Sequence, residues 1–367
     1  MGPDSPEITL SIDGMGGDDA PAIVIDGLAI ARVRHPHVRY VVHGDEAAIA
    51  PLLENHPDLT THVQISHTDE AISMDDKPSQ AVRRGRKTSM WRAIDSIRQG
   101  DAVAAVSAGN TGALMAMSKI QLKTLEGIDR PAIASLWPTE VGESVVLDLG
   151  ANVEADAKQL VDFAVMGATF SRIMTGLKAP KVGLLNIGTE ELKGHDEIKA
   201  AAQMLRDLPL SMNFIGFVEG DGISAGHADV VVTDGFTGNI ALKTAEGTAK
   251  LIMAYLKAAL GRSLLSKLGA LLAAGAFKIL KAKLDPRAHN GGVFLGLNGI
   301  VVKSHGGTDA LGFAAAVDVA VDMAEADLIN QIIKEEQVVA TVGEGEMTDG
   351  GAQSDSGAAD KTAPAAQ

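Results

Sequence analysis

The stretch DVVVTDGFTGN, Asp229–Asn239, decides how this chain is read. Three consecutive valines are what a buried parallel strand requires, and the Gly-rich turn after them leads into a helix expected to open at about Ile240. In α/β proteins the loop that follows such a strand is where ligands bind. The same layout recurs at Ala102–Met115, AVAAVSAGNTGALM, and at Lys181–Gly194, KVGLLNIGTEELKG. Three strands are therefore expected to bring small polar loops to one edge of a sheet, and that edge is the candidate site.

Outward from this element, strand and helix alternate along the chain. Ile8–Ile12 is a strand that runs into Asp13-Gly14-Met15-Gly16-Gly17-Asp18, with Pro21 opening a helix. A strand, a glycine turn and a helix N-terminus favour bound anions, because free N–H groups and the helix dipole both attract negative charge. The dinucleotide fingerprint G-x-G-x-x-G is absent from this turn, which argues against a nicotinamide enzyme. Further strands are expected at Val38–His43, Val63–Ser66, Ile133–Leu136, Ser144–Asp148, Val182–Asn186, Asn213–Val218 and Ile300–Lys303. Helices are expected at Ser79–Gln99, Asp156–Thr175, His195–Asp207 and Thr308–Lys334. This alternation predicts an α/β protein with a doubly wound, mostly parallel sheet in one large domain over 8–334. Residues 1–7 are polar and expected to fray. From Glu335 the chain turns Gly-, Ala-, Ser- and acid-rich, and 335–367 is expected to be a disordered tail.

Composition removes several function classes. The chain has 367 residues, a formal charge of −15 and 3% aromatic residues, so neither a basic footprint for nucleic acid nor a set of base-stacking rings is available. With no cysteine there is no disulfide, thiolate metal site or cysteine nucleophile. The histidines His35, His37, His43, His62 and His67 show no metal-ligand spacing, and neither metal nor cofactor is expected. No apolar run reaches the length of a spanning helix and no signal-peptide core stands at the start, so a cytoplasmic location is expected.

Two cationic segments stand out against the net charge. Arg83–Lys87, RRGRK, reads first as a solvated helix face and second as a dock for an acidic partner. Between Glu246 and Asp285 there is no acidic residue, whereas Lys250, Lys257, Arg262, Lys267, Lys278, Lys281 and Lys283 all fall there. Leu264, Leu265, Leu268, Leu271 and Leu272 share one helical face, and Phe277, Leu280 and Leu284 continue a second stripe. An amphipathic helical hairpin at about 247–285 is expected to project from the domain. It would pack on the core or a second copy, or lie on an anionic membrane surface with Leu264, Leu268, Leu271, Phe277 and Leu280 at the acyl boundary.

The chain resembles the acyl-ACP:phosphate acyltransferase family of bacterial phospholipid synthesis, usually called PlsX. The resemblance runs from Ile8 to about Ile333. It is carried by D-x-M-G-G-D at Asp13–Asp18, DKPSQAVRR at Asp76–Arg84 and VSAGNTGALM at Val106–Met115. LDLGAN at Leu147–Asn152, LLNIGTEELKG at Leu184–Gly194 and VEGDGI at Val218–Ile223 extend it. VVVTDGFTGN at Val230–Asn239 and LGLNGIVVKSHG at Leu295–Gly306 complete it. Gly14, Asp19 and the Gly291–Phe294 stretch depart from the family's usual residues. The resemblance implies a fold like the isocitrate and isopropylmalate dehydrogenases and phosphotransacetylases, and a homodimer attached peripherally to the inner face of the cell membrane. It also implies transfer of a long-chain acyl group from acyl carrier protein to inorganic phosphate. The alternatives are a phosphotransacetylase-like enzyme acting on acyl-CoA and a non-catalytic, membrane-tethered scaffold for acyl carrier protein.

Phosphate is already anionic at neutral pH and a thiolate leaves readily, so the chemistry needs no cysteine. It needs a cation and several N–H donors, to hold a dianion near the carbonyl and to stabilise the oxyanion that forms. Lys193, in GTEELKG, is the first candidate for that cation, against its ordinary use as a surface lysine. Asn239 is either an amide donor to the carbonyl oxygen or the N-cap of its helix. Gly16, Gly17 and Asp18, together with Ser107, Gly109, Asn110, Thr111 and Thr189, are candidates for phosphate or phosphopantetheine contact, or serve the turns alone. His305 is a candidate proton donor to the leaving thiolate, ranked behind an orienting or structural role.

Overall fold

The computed structural model describes residues 8–283, 287 and 290–349. The expected frayed start at 1–7 and the tail beyond 349 lie outside the described residues. Among the described residues, eleven strands run in chain order as follows. They are β1 (Ile8–Asp13), β2 (Val38–Gly44), β3 (Val63–His67), β4 (Ala104–Ser107), β5 (Ala132–Pro138), β6 (Glu143–Leu147), β7 (Lys181–Leu185), β8 (Asn213–Val218), β9 (Val230–Val232), β10 (Gly292–Leu295) and β11 (Ile300–Lys303). They pair in the spatial order β3-β2-β1-β4-β11-β10-β5-β6-β9-β7-β8.

Side chains alternate across this sheet. Ile12, Val106, Leu147, Val182, Val230, Val232 and Val302 belong to one buried cluster, while Val146, Val231, Phe294 and Val301 belong to the other. Successive residues of a strand point to opposite faces, so a run such as Val230-Val231-Val232 is stable only where both faces are covered. Val24, Phe163 and Phe313 from the helices Ala22–Arg34, Ala157–Thr175 and Ala310–Glu325 cover the first face. Met90, Ile94, Leu114 and Met117 from Ser89–Gln99 and Thr111–Leu122 cover the second.

The expected single edge is not what forms. β3, β2, β1, β4 and β11 make one parallel block, and β6, β9, β7 and β8 make another. Three antiparallel joints, β11 to β10, β10 to β5 and β5 to β6, connect them, so the blocks run in opposite senses. β4 therefore ends in one block and β7 and β9 in the other. Register brings the two sets of carboxyl ends together at β5. Lys303, ending β11, pairs with Gly292, and Val293 pairs with Ala134. The neighbouring Ile133 N–H donates to Asp148 Oδ1, just past β6, at 3.0 Å. Three strand spacings separate the two ends, about 14 Å.

Helix boundaries differ from expectation at four places. Ser79–Gln99 is two helices, Pro78–Arg84 and Ser89–Gln99, because Gly85 ends the first and the Thr88 hydroxyl caps the second. The helix expected at Ile240 opens at Gly235, capped by Asp234, whose carboxylate accepts from the Thr237 N–H at 2.8 Å. Thr308–Lys334 is likewise two helices, Ala310–Glu325 and Leu328–Asp349, parted at Asp327 with φ 55. The second of these carries on past 335, where the tail was expected to begin. It is anchored there by buried Ile332 and by Glu335, which pairs with Arg172 at 2.9 Å.

The projecting element grows from the helix of the opening stretch and not from a separate insertion. Gly235–Gly261 is one helix of 27 residues in which Gly235 and Gly238 are the buried positions. Leu264–Leu272 follows with no buried residue, then Ala274–Lys283. Leu264, Leu268 and Leu271 are exposed at 84%, 54% and 71%, and Phe277 is half-buried. The side chain of Leu280 lies outside the described residues. No described helix is long and apolar enough to cross a membrane.

Candidate active site

Three turns of the first block interlock at its carboxyl end. Asp13, ending β1, is 1% exposed and accepts a 2.6 Å hydrogen bond from the Ser107 hydroxyl at the end of β4. The Ser107 oxygen in turn accepts from the Gly109 N–H at 3.0 Å. Burial pushes the Asp13 carboxyl above its usual range, while the Ser107 hydroxyl, the Met15 N–H and the Lys303 charge pull it back. Gly16 lies over this pair. A Cβ there would meet Asp13 Oδ2 at 2.5 Å and the Gly109 backbone nitrogen at 2.7 Å, so only glycine allows the two turns to close. The third turn joins through backbone, since the Ser304 N–H donates to Ser107 O and the Asp18 N–H to Gly306 O, both at 2.9 Å.

Lys303 is the cation at this junction. Its ammonium donates to the Ala108 carbonyl at 3.3 Å and also to the Ser304 carbonyl. Burial lowers it to about 8; Asp13 and Asp18 oppose that shift and Lys243 adds to it. His305 is exposed, with its N–H donating to Asn290 Oδ1 at 2.9 Å. Its ring Nδ1 accepts from the Gly307 N–H at 3.2 Å, which leaves the proton of the neutral ring on Nε2. Partial burial, then Lys243, push this imidazole below its usual range, with Glu246 opposing. Lys243, Glu246 and Lys250 all lie on the Gly235–Gly261 helix, so this helix from the second block faces the turns of the first.

Asn110 is spent on structure. Its Oδ1 caps Thr111–Leu122 by accepting from the Ala113 N–H at 3.0 Å, and its amide donates to the Met74 and Asp76 carbonyls at 2.7 and 3.0 Å. Thr111, at the exposed first turn of that helix, leaves a backbone N–H of the kind that anions seek.

In the second block Asp148 is fully buried, and the loop after β6 winds around its carboxylate. The N–H groups of Gly150, Ala151 and Asn152 and the Asn152 amide all donate to it, at 2.7–3.2 Å. Burial raises this carboxyl and those bonds counter it. Gly238 lets the long helix press on the Asp148 carbonyl, where any Cβ would collide. Asn239 is exposed in the helix's second turn, with its side chain beside Gly150. It is therefore not the N-cap, a position Asp234 holds. Lys193 is also exposed. Its carbonyl accepts from the Asn186 amide at 3.1 Å and its N–H donates to Glu190 O at 3.0 Å, so the 186–194 loop curls around Asn186 with Thr189 on its outer side.

The structure thus gathers Gly16, Gly17, Asp18, Ser107, Gly109 and His305 in one cluster, and places Asn239 and Lys193 on loops of the adjacent block. Sequence reading missed Lys303, Lys243 and Asp148 as members of the site. The position of Lys303 directly after the Ile300–Val302 run was the available signal, because a lysine ending a buried strand lies at the sheet's ligand edge. Among the described residues no cluster of His, Asp or Glu has the arrangement of a metal site.

Fold and site together define an α/β protein in which two opposed parallel sheet blocks bring lysines and helix N-termini toward one another at their carboxyl ends. A family model described as "Fatty acid synthesis protein" matches residues 8–331. The phosphate acyltransferase of Parvibaculum lavamentivorans is 62% identical over 327 residues, covering 89% of this chain and 91% of that protein. That of Xanthobacter autotrophicus is 57% identical over 328 residues, covering 89% and 92%. The chain belongs to this fatty acid synthesis protein family. Its fold is similar to that of a phosphotransacetylase from Streptococcus pyogenes, with a TM-score of 0.56 at 18% identity over 88% of this chain and 94% of that one. The EutD phosphotransacetylase from Staphylococcus aureus is similar too, with a TM-score of 0.55 at 17% identity over 87% and 94%.

Proposed function

We propose that this protein transfers a long-chain fatty acyl group from acyl carrier protein to inorganic phosphate, giving acyl phosphate and free carrier. The observation that carries the reading is the meeting of two sets of strand ends at β5, with half-buried Lys303 and helix-borne Lys243 within electrostatic reach of one another. Two cations and several free N–H groups suit a dianion that must sit beside a developing oxyanion. A phosphate oxygen attacks the thioester carbonyl carbon, the C–S bond breaks, and the proton that phosphate brings ends on the departing sulfur. No proton is gained or lost overall, so the neutral His305 ring keeps its Nε2–H and acts as a hydrogen-bond donor that orients phosphate or the departing sulfur while the proton passes from phosphate to sulfur. Asn239 and Lys193 stabilise the carbonyl oxygen from the second block.

The exposed leucines and unopposed lysines of the arm support peripheral contact with an anionic membrane, with two copies of the chain presenting their arms together. The test of the reaction is direct. Purified protein, a long-chain acyl carrier thioester and phosphate should yield an acyl phosphate trapped as its hydroxamate. Thioester loss that ignores phosphate would mark a thioesterase, and an equal or better rate with acyl-CoA would move the donor to coenzyme A.

A further inference from the structure

A groove of about 510 Å³ runs between the long helix and the sheet. One wall is a single face of Gly235–Gly261, where Ala241, Ala245, Ala249 and Ile252 recur at helical spacing and threonines fill the remaining places. The other wall holds Trp137 of β5, Leu185 at the end of β7 and Ile223 from the short helix Gly220–Ala225 after β8. All three are at most 9% exposed. The groove begins two residues beyond Asn239 and one residue before the 186–194 loop that carries Lys193.

We infer that this groove holds the hydrocarbon chain of the acyl donor, with the thioester at the Asn239 end and the methyl end directed toward Ile252; this rests on the acyl transfer reading above. Its place and lining select the occupant. Eleven helical residues rise roughly 16 Å. Over that length the walls are alanine, threonine and buried aromatic and aliphatic side chains, and the near end lies beside Asn239 and the Lys193 loop. A single extended hydrocarbon chain whose thioester sits at that end runs along such a trough. The small residues of the helix face keep the trough open, because alanine at every fourth position leaves room that larger side chains would fill.

Chain-length preference tests the assignment. Each methylene buried in the groove should raise kcat/KM about fourfold until the groove is full. Ala249→Phe, which blocks its far half, should lower the ratio of palmitoyl to octanoyl donor use at least tenfold. Leu251→Ser, on a neighbouring face of the same helix, should leave that ratio in place. Binding is read separately from turnover. In a Trp91→Phe background the remaining tryptophan, Trp137, should shift its emission on addition of palmitate, and Ala249→Phe should abolish the shift. If the wild type makes no acyl phosphate while Trp137 still responds, the groove stands and the reaction assigned above falls. If acyl phosphate forms but the ratio and the emission are both unmoved by Ala249→Phe, the groove assignment is overturned. A changed mass in solution for Ala249→Phe, with the ratio unmoved, overturns it in favour of a second copy of the chain.

Discussion

The two sets of strand ends that meet at β5 are built in opposite ways. At the first, four groups are committed: Asp13 to Ser107, Ser107 to Gly109, Asn110 to the Met74 and Asp76 carbonyls, Lys303 to two carbonyls. At the second, the committed groups are Asp148 and Asn186, which shape loops, while Lys193 and Asn239 are exposed. A half-buried, hydrogen-bonded cation is pre-aimed and costs little reorganisation when an anion arrives. An exposed one is accessible to a bulky donor and becomes effective only once water is excluded. The contrast matches a small ligand held at the first set and a large one admitted at the second.

Lys303→Met should break this division most severely. It keeps the length and packing of the side chain and removes the charge, so kcat/KM for phosphate should fall about 10²–10³-fold with the far-UV spectrum unchanged. A loss under about threefold would move the anion site elsewhere. Lys193→Ala and Asn239→Ala should each lower turnover by roughly ten- to a hundredfold with KM for phosphate little altered. A rise in phosphate KM as large as the fall in kcat would erase the distinction between the two sets.

How far these residues were legible in the sequence follows the same division. Asn213–Val218 and Ile300–Lys303 begin and end where the residues alone place them, because β-branched runs bounded by turn residues specify buried strands locally. Strand direction does not. Nothing in AIASLWP or GVFL says that β5 and β10 run against their neighbours, since direction is settled by which chain arrives alongside. The helix start at Gly235 is legible in the sequence, because Asp234 before GFTG is an N-cap pattern. The turns that hold the candidate glycines and Ser107 are legible because turn chemistry is local. Lys303 is not, because a lysine's burial depends on strands far away in sequence.

The arm extends the comparison, since it is the outer end of the helix that carries Asn239. Leu268→Glu places a charge on an exposed apolar stripe without touching either set of strand ends. Sedimentation with anionic liposomes should show roughly tenfold weaker binding, with activity on a soluble donor kept. Loss of activity together with a change in oligomeric mass would show instead that the leucines pack on a second copy.

The smallest effect needs no substitution. Lys303 is pushed down to about 8 by desolvation, so it gives up its proton in the mildly alkaline range. Below that value the ammonium is present and phosphate is held; above it the charge is lost and phosphate affinity falls. Between about pH 7.5 and 8.5 the protonated fraction drops from about three quarters to about one quarter, so KM for phosphate should rise about threefold. His305, pushed below its ordinary value, is already neutral over that interval and contributes no step. Lys303→Arg supplies the control, because a guanidinium stays charged throughout, and whatever its absolute rate its phosphate KM should be flat across the interval. A KM that climbs equally in both proteins would assign the titration to another group and leave the first set of strand ends without its cation.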